Sequence, residues 1–238
     1  MCKYLREEPR GSDALTWTQW TRLIALVSKY RWPGVDPKHM KRLCILSTWC
    51  ALRQSESLVL SPLHSIMEGG RLRMDFPNDK SGTSVVHSKF ISEFGAKPEY
   101  CPVKAWDSLM RTFKRHKFNS GSFIRKKKNN QCISATWLNT NFAKFITEAK
   151  RLKILPQHGK YTWHVWRVSF FNFAFYDLQC PGHVCSSIAN HDSLLSRLSY
   201  TKHTNLDRKR EAGDMIAARF DEAVAKRRKH ELKAIRSR

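Results

Sequence analysis

The chain has 238 residues, just above the usual single-domain length, so one main domain with a short appendage is expected. It has no apolar run long enough to cross a bilayer and no apolar segment with a cleavage site after Met1. A membrane protein and an ordinary secreted protein are therefore excluded from the reading. With 41% hydrophobic residues, including 13 Phe, 8 Trp and 6 Tyr, the chain can bury a sizeable core, yet 43 Lys+Arg against 20 Asp+Glu leave a net charge of +23. An excess of that size opposes compaction unless a polyanion neutralises it, and phosphate backbones are the commonest candidate.

In chain order, Leu15 to Val27 carries a helix start. Thr16 and Gln19 have capping-box spacing, Leu15 and Trp20 suit a hydrophobic staple, and Trp20, Leu23, Ile24 and Val27 recur at helical period. Pro33-Gly34 ends this helix. Asp36-Pro37 then offers an N-cap followed by proline at the first helical position, and Met40, Leu43, Ser47 and Cys50 share a face of the helix that delivers Ala51-Leu52-Arg53. After Pro62, Ser65 to Glu68, Gly69-Gly70 and Arg71 to Phe76 predict a hairpin, with Thr83 to His87 as a third strand. The loop Pro77 to Gly82 holds a single lysine, Lys80.

Cys101-Pro102-Val103 opens a helix reaching about His116. The acid-free segment 114–130 follows as a basic loop, and Ser134 caps a helix with Leu138, Phe142, Phe145, Ile146 and Ala149 as its buried stripe. From Thr162 the chain is aromatic on every side (Trp163, Trp166, Phe170, Phe171, Phe173, Phe175, Tyr176), which predicts passage through the core. A last, highly charged helix runs from Leu206 and ends in Lys226 to Lys229. The seven cysteines form no CxxC pair. Cys180, His183 and Cys185 hint at a metal but lack a second ligand pair, so they read as ordinary thiols of a reducing compartment.

His164 and Arg167, three apart, share a helix face, and burying such a pair is costly unless something polar lies opposite. Arg53 and Glu56 form a second such face. With Lys80, His191 and Tyr200 the chain order becomes Arg, Lys, His-x-x-Arg, His, Tyr. This ordered set resembles the tyrosine recombinases, or phage-type integrases, through residues 51–56 (ALRQSE), 79–83 (DKSGT), 101–103 (CPV), 164–167 (HVWR) and 190–193 (NHDS), closing at Tyr200. The likeness covers roughly Leu15 to Tyr200. Trp166 stands where a smaller or aliphatic residue is more usual, and Ala189-Asn190 replaces the common Leu-Gly.

The resemblance implies an α+β, mainly α fold: a helical catalytic domain with a small three-stranded antiparallel sheet. It implies attack of Tyr200 on a DNA phosphodiester, giving a 3'-phosphotyrosyl bond and a free 5'-hydroxyl, with neither metal nor ATP. Arg53 and Arg167 would clamp the phosphate, since guanidinium forks match its geometry and keep their charge. Lys80 would protonate the leaving oxygen, with Lys89 and Lys97 as rival lysines nearby. His164 would accept the phenol proton or bond the phosphate, His191 would bond a non-bridging oxygen, and Glu56 would orient Arg53 or a histidine.

Independently of any family, Lys114, Arg115, Lys117, Arg125, Lys126, Lys127, Lys128, Arg208, Lys209 and Arg210 suit the backbone of double-stranded DNA. The expected organisation is an extension over 1–14, a catalytic domain over 15–205, and a basic helix over 206–238 that packs on a neighbouring protomer. A homo-oligomer on DNA, commonly a tetramer, would follow, with no membrane or small-molecule partner and an intracellular, DNA-associated location. With about fourteen residues before Leu15, the family's separate DNA clamp is expected to be absent here. The competing readings are a non-catalytic DNA-binding factor with a recombinase-like fold, a type IB topoisomerase, and an RNA-binding protein.

Overall fold

The structure is a computed structural model. It describes residues 12–77, 86–116, 121–126, 128–189 and 202–236, with main chain alone at 77, 86–87, 202–208 and 231–236. Helix α1 (Trp17–Val27) starts as its capping box predicts: the Gln19 N–H donates to Thr16 Oγ1 at 3.2 Å, and the Thr16 N–H to Gln19 Oε1 at 2.9 Å. Helix α2 (Pro37–Trp49) is capped by Asp36 and buried along its whole second half. A break follows, because Ala51 adopts a left-handed φ of +45°, and the short helix α3 (Gln54–Val59) leaves in a new direction with Arg53 at its N-cap.

Strands β1 (Ser65–Glu68) and β2 (Arg71–Pro77) form the expected hairpin about Gly69-Gly70, whose φ values of +54° and +77° only glycine adopts without strain. The third strand is β3, Val86–Ser92, which overlaps the expected strand at 86–87 and runs on to Ser92; residues 83–85 lie outside the described residues. The far end has a physical cause. In β3 Lys89 points inward where a period-2 pattern wants an apolar residue, so alternation fails at the strand's centre. The sheet is antiparallel in the order β1-β2-β3, with Leu72, Met74 and Phe76 on the core side and Arg71, Arg73 and Asp75 opposite.

Helices α4 (Pro102–Arg115) and α5 (Ala135–Arg151) follow the sequence reading, and the α5 stripe is buried together with Asn141. Helix α6 (Val165–Asn172) continues into a π-helical turn, Phe173–Asp177. This corrects the all-round core segment: Phe175 and Tyr176 are 42% and 64% exposed, as the wider turn rotates them outward. Helix α7 (Gly182–Ala189), not anticipated from the sequence, leads to α8 (Lys202–Arg236).

Helices α2, α4 and α6 pack around one aromatic core, and α8 covers the outer face of the sheet. Phe220 of α8 stacks on Phe94 with centroids 4.4 Å apart and meets Trp49 edge-on. Ala212, Ile216 and Ala217 are buried beside it, so this stretch of α8 packs within its own chain. Polar contacts pin the same interface: Arg71 is bidentate to Asp214 at 2.9 and 2.5 Å, and Arg210 pairs with Glu68. At the other end, Ser12 and Asp13 are tied to residues 160–162 by main-chain and side-chain bonds.

Candidate active site

The α2–α3 break is the foundation of the site. Its left-handed Ala51 turns two consecutive carbonyls, Cys50 and Ala51, toward the core, and Lys89 Nζ donates to them at 3.1 and 3.0 Å. The same ammonium reaches Glu56 Oε2 at 3.0 Å. Glu56 in turn accepts the Arg53 main-chain N–H at 2.7 Å and the Arg53 Nη1 at 3.0 Å, so one carboxylate caps α3 and orients its guanidinium. Burial pushes the Glu56 carboxyl up, but the Lys89 ammonium and the Arg53 groups outweigh it and hold the pKa below the usual value. Glu56 is a carboxylate.

Arg167 comes from the first turn of α6 and is 3% exposed. Its Nη1 donates to the Ala51 carbonyl and its Nη2 to the Ala189 carbonyl at 2.7 Å, which ties α6 to the α2–α3 break and to the end of α7. Among the described residues it meets no carboxylate. Burial, then the neighbouring Arg53 charge, brings its pKa down to about 10, so it remains a cation at neutral pH. His164, the residue preceding α6, is half-buried. Burial, Arg167 and Arg53, in that order, lower its pKa, which leaves the imidazole neutral and able to accept a proton.

Arg53, His164 and Arg167 therefore converge from two parts of the chain, the start of α3 and the start of α6, with the Arg53 side chain 37% exposed at the mouth. Arg53 and Lys89 pair with one carboxylate, Glu56, and the Arg167 guanidinium adds a further positive charge nearby, a balance that favours an anion with paired oxygens. Of the other expected site residues, Lys80, His191 and Tyr200 lie outside the described residues.

No protein-family model matches the chain, and no curated protein sequence does. Solved structures do match. The XerH site-specific recombinase bound to its difH substrate superposes with a TM-score of 0.55 at 13% identity, over 77% of this chain and 48% of that one. The Tn1549 transposon integrase (residues 82–397), in complex with circular intermediate DNA, gives a TM-score of 0.54 at 16% identity, over 87% and 65%. The chain has the tyrosine recombinase fold. It spans about half the length of the XerH chain.

Within this recombinase fold, the rival lysine Lys89 is not at the mouth: it is 1% exposed and engaged three ways beneath it. The sequence reading carried no sign of this, since its third strand ended at His87 and Lys89 takes its place opposite Met74 only in the structure. The roles of the Ala51 and Ala189 carbonyls had no sequence signal, because alanine advertises nothing about its main chain.

The basic residues chosen for DNA divide into groups. Lys114 and Arg115 are exposed in the last turn of α4, and Lys128 is exposed, with Lys126 part-buried. Arg125 instead folds back, donating from Nε to the Ser122 carbonyl at 3.1 Å and from Nη1 to the Asn130 carbonyl at 3.0 Å. Arg210 turns to Glu68 and lies 5.3 Å over the Phe90 ring, because α8 docks on the sheet there. Lys209 is part-buried on the same helix, while Lys117, Lys127 and the Arg208 side chain lie outside the described residues. Cys180 and Cys185 are buried thiols raised by burial to about 11 and about 12, and His183 is exposed. Among the described residues no three metal-ligating side chains cluster.

Proposed function

We propose that this chain is a site-specific DNA recombinase or integrase that cuts and rejoins strands through a covalent 3'-phosphotyrosyl intermediate. The observation that carries the reading is the convergence of Arg53 and Arg167 beside a neutral His164, in a fold shared with proteins solved on their DNA substrates. A phosphodiester entering at Arg53 would present its non-bridging oxygens to the two guanidiniums. Their fixed charges would stabilise the extra negative charge of the pentacoordinate transition state. Tyr200 is the nucleophile in this reading: its phenol proton passes to His164 or to solvent, the Tyr200–phosphorus bond forms, and the 5'-oxygen leaves with a proton from Lys80. His191 bonds the phosphate. The reaction is reversible because the phosphotyrosyl bond conserves the energy of the bond it replaces, so neither ATP nor metal is needed.

Double-stranded DNA is the partner in this reading, held along its backbone by Lys114, Arg115, Lys126 and Lys128. Work on two duplexes calls for a homo-oligomer, with a tetramer as the natural assembly. Since α8 packs within its own chain around Phe220, a neighbouring protomer would in this reading meet the helix outside that buried stretch.

A nicked suicide duplex tests the proposal. The expected result is a denaturation-resistant protein–DNA adduct that persists with chelator and vanishes in Tyr200→Phe. DNA binding without any adduct would reduce the chain to a binding factor, and an adduct without exchange between two duplexes would make it a topoisomerase-like enzyme.

A further inference from the structure

The Lys89 ammonium is the least expected group in the fold. It sits at the centre of β3, 1% exposed, and it desolvates a charge where a methionine would fill the same space. Its three donors meet three acceptors: Glu56 Oε2 at 3.0 Å, the Cys50 carbonyl at 3.1 Å and the Ala51 carbonyl at 3.0 Å. A neutral amine has only two protons, so this arrangement is complete only for the charged form. Two of these acceptors lead to the arginines. Glu56 holds the Arg53 main chain and guanidinium, and the Ala51 carbonyl also receives Arg167.

We propose that Lys89 is the positioning residue of the oxoanion grip, a buried strut that sets Arg53 and Arg167 at one separation by holding Glu56 and the Ala51 carbonyl together. The inference rests on the two-arginine phosphate grip proposed above and deepens it. Lys89 touches neither substrate nor reacting atoms. Its ammonium places the carboxylate that aims Arg53 and the carbonyl on which Arg167 is seated, and it adds a third positive charge beneath the phosphate position. Without it, the left-handed turn loses its inner anchor and Glu56 is free to draw Arg53 away from the anion. The two guanidiniums then act separately, and the fork spacing that matches a tetrahedral oxoanion is lost.

The test uses the full chain and two probes, tungstate as a tetrahedral oxoanion and the nicked duplex. Lys89→Met alone strands a buried carboxylate, so Lys89→Met with Glu56→Gln is the decisive variant, since it removes both charges and leaves polar atoms for Arg53. Its thermal unfolding should stay close to the parent's, and its duplex affinity should match within about threefold. Tungstate affinity should fall about tenfold or more, and adduct formation at saturating DNA about 100-fold, a loss in the chemical step rather than in binding. Arg53→Ala added to this variant should cost much less than it does in the parent, because the two groups work as one unit.

A folded variant with parental tungstate affinity and parental adduct rate overturns the inference, as does a parent chain that binds no tungstate and forms no adduct. A parent whose tungstate affinity falls when Lys89 and Glu56 are replaced, yet which forms no adduct, upholds the strut and defeats the recombinase reading instead.

Discussion

The Arg167 guanidinium donates to the carbonyl of Ala51, 116 residues earlier in the chain and the one residue of the α2–α3 break with a left-handed φ. Through that bond and its partner at Ala189, a single buried cation joins α6, the start of α3 and the end of α7. The two arginines of the site therefore differ in kind, because Arg53 stands at the mouth while Arg167 also holds the walls together.

That difference is measurable. Arg53→Ala should leave stability within about 1 kcal/mol, since the side chain is 37% exposed and Glu56 keeps Lys89. Arg167→Ala leaves two buried carbonyls without their donor and should cost about 2–4 kcal/mol in urea denaturation. Both should lower adduct formation at least about 100-fold. Equal stability losses in the two variants would contradict the structural role given to Arg167.

Lys89 makes stability and activity move in opposite directions with pH. Burial brings its pKa from 10.5 to about 7, against the pull of Glu56 from α3 and with Arg167 from α6 pushing the same way as burial. Cys50, the other titratable neighbour, is raised by burial and stays a thiol. Between about pH 7 and 10.5 the unfolded chain holds the proton that the folded chain has released, so unfolding free energy rises with pH across that window. Adduct formation, which in the proposal needs the charged strut, should fall as pH rises through about 7, at the lower edge of that window, even as the phenol becomes easier to ionise. Urea midpoints and single-turnover rates, taken beside the Lys89→Met, Glu56→Gln variant, isolate the Lys89 contribution. A pH-independent difference between the two proteins would refute it.

Salt dependence should separate the basic residues proposed to reach DNA from those that hold the fold. Lys114→Ala and Arg115→Ala should each lower the slope of log affinity against log salt by about 1, as expected when one phosphate is no longer neutralised by the protein. Arg125→Ala and Arg210→Ala should leave that slope unchanged and lower the melting temperature, because their guanidiniums are committed to main-chain carbonyls and to Glu68.

Gly213 is where α8 approaches the sheet. A Cβ there would lie 2.6 Å from the Phe90 carbonyl oxygen, a main-chain atom with little freedom to move. Gly213→Ala gains about 1 kcal/mol of helix propensity and should still destabilise by about 1–2 kcal/mol net, since overpacking against backbone costs more. A raised melting temperature for this variant would show that α8 docks elsewhere.

Much of the architecture was legible locally. The Thr16 and Gln19 box, the Asp36-Pro37 start, the Gly69-Gly70 turn and the Ser134 cap are short-range rules, and each element they mark is present. The sequence reading grouped Arg53, His164 and Arg167, and the structure brings these three side chains together. Composition alone pointed to a polyanionic partner. The tertiary structure decided what no local pattern encodes: which lysine is buried, which carbonyls turn inward, and which arginines face solvent. Lys89 looks like any basic residue near a hairpin until β3 aims it at Glu56, and Arg210 looks like a DNA contact until α8 lies across the sheet. Burial and pairing are properties of surfaces brought together from distant parts of the chain. They exist only once the chain has closed.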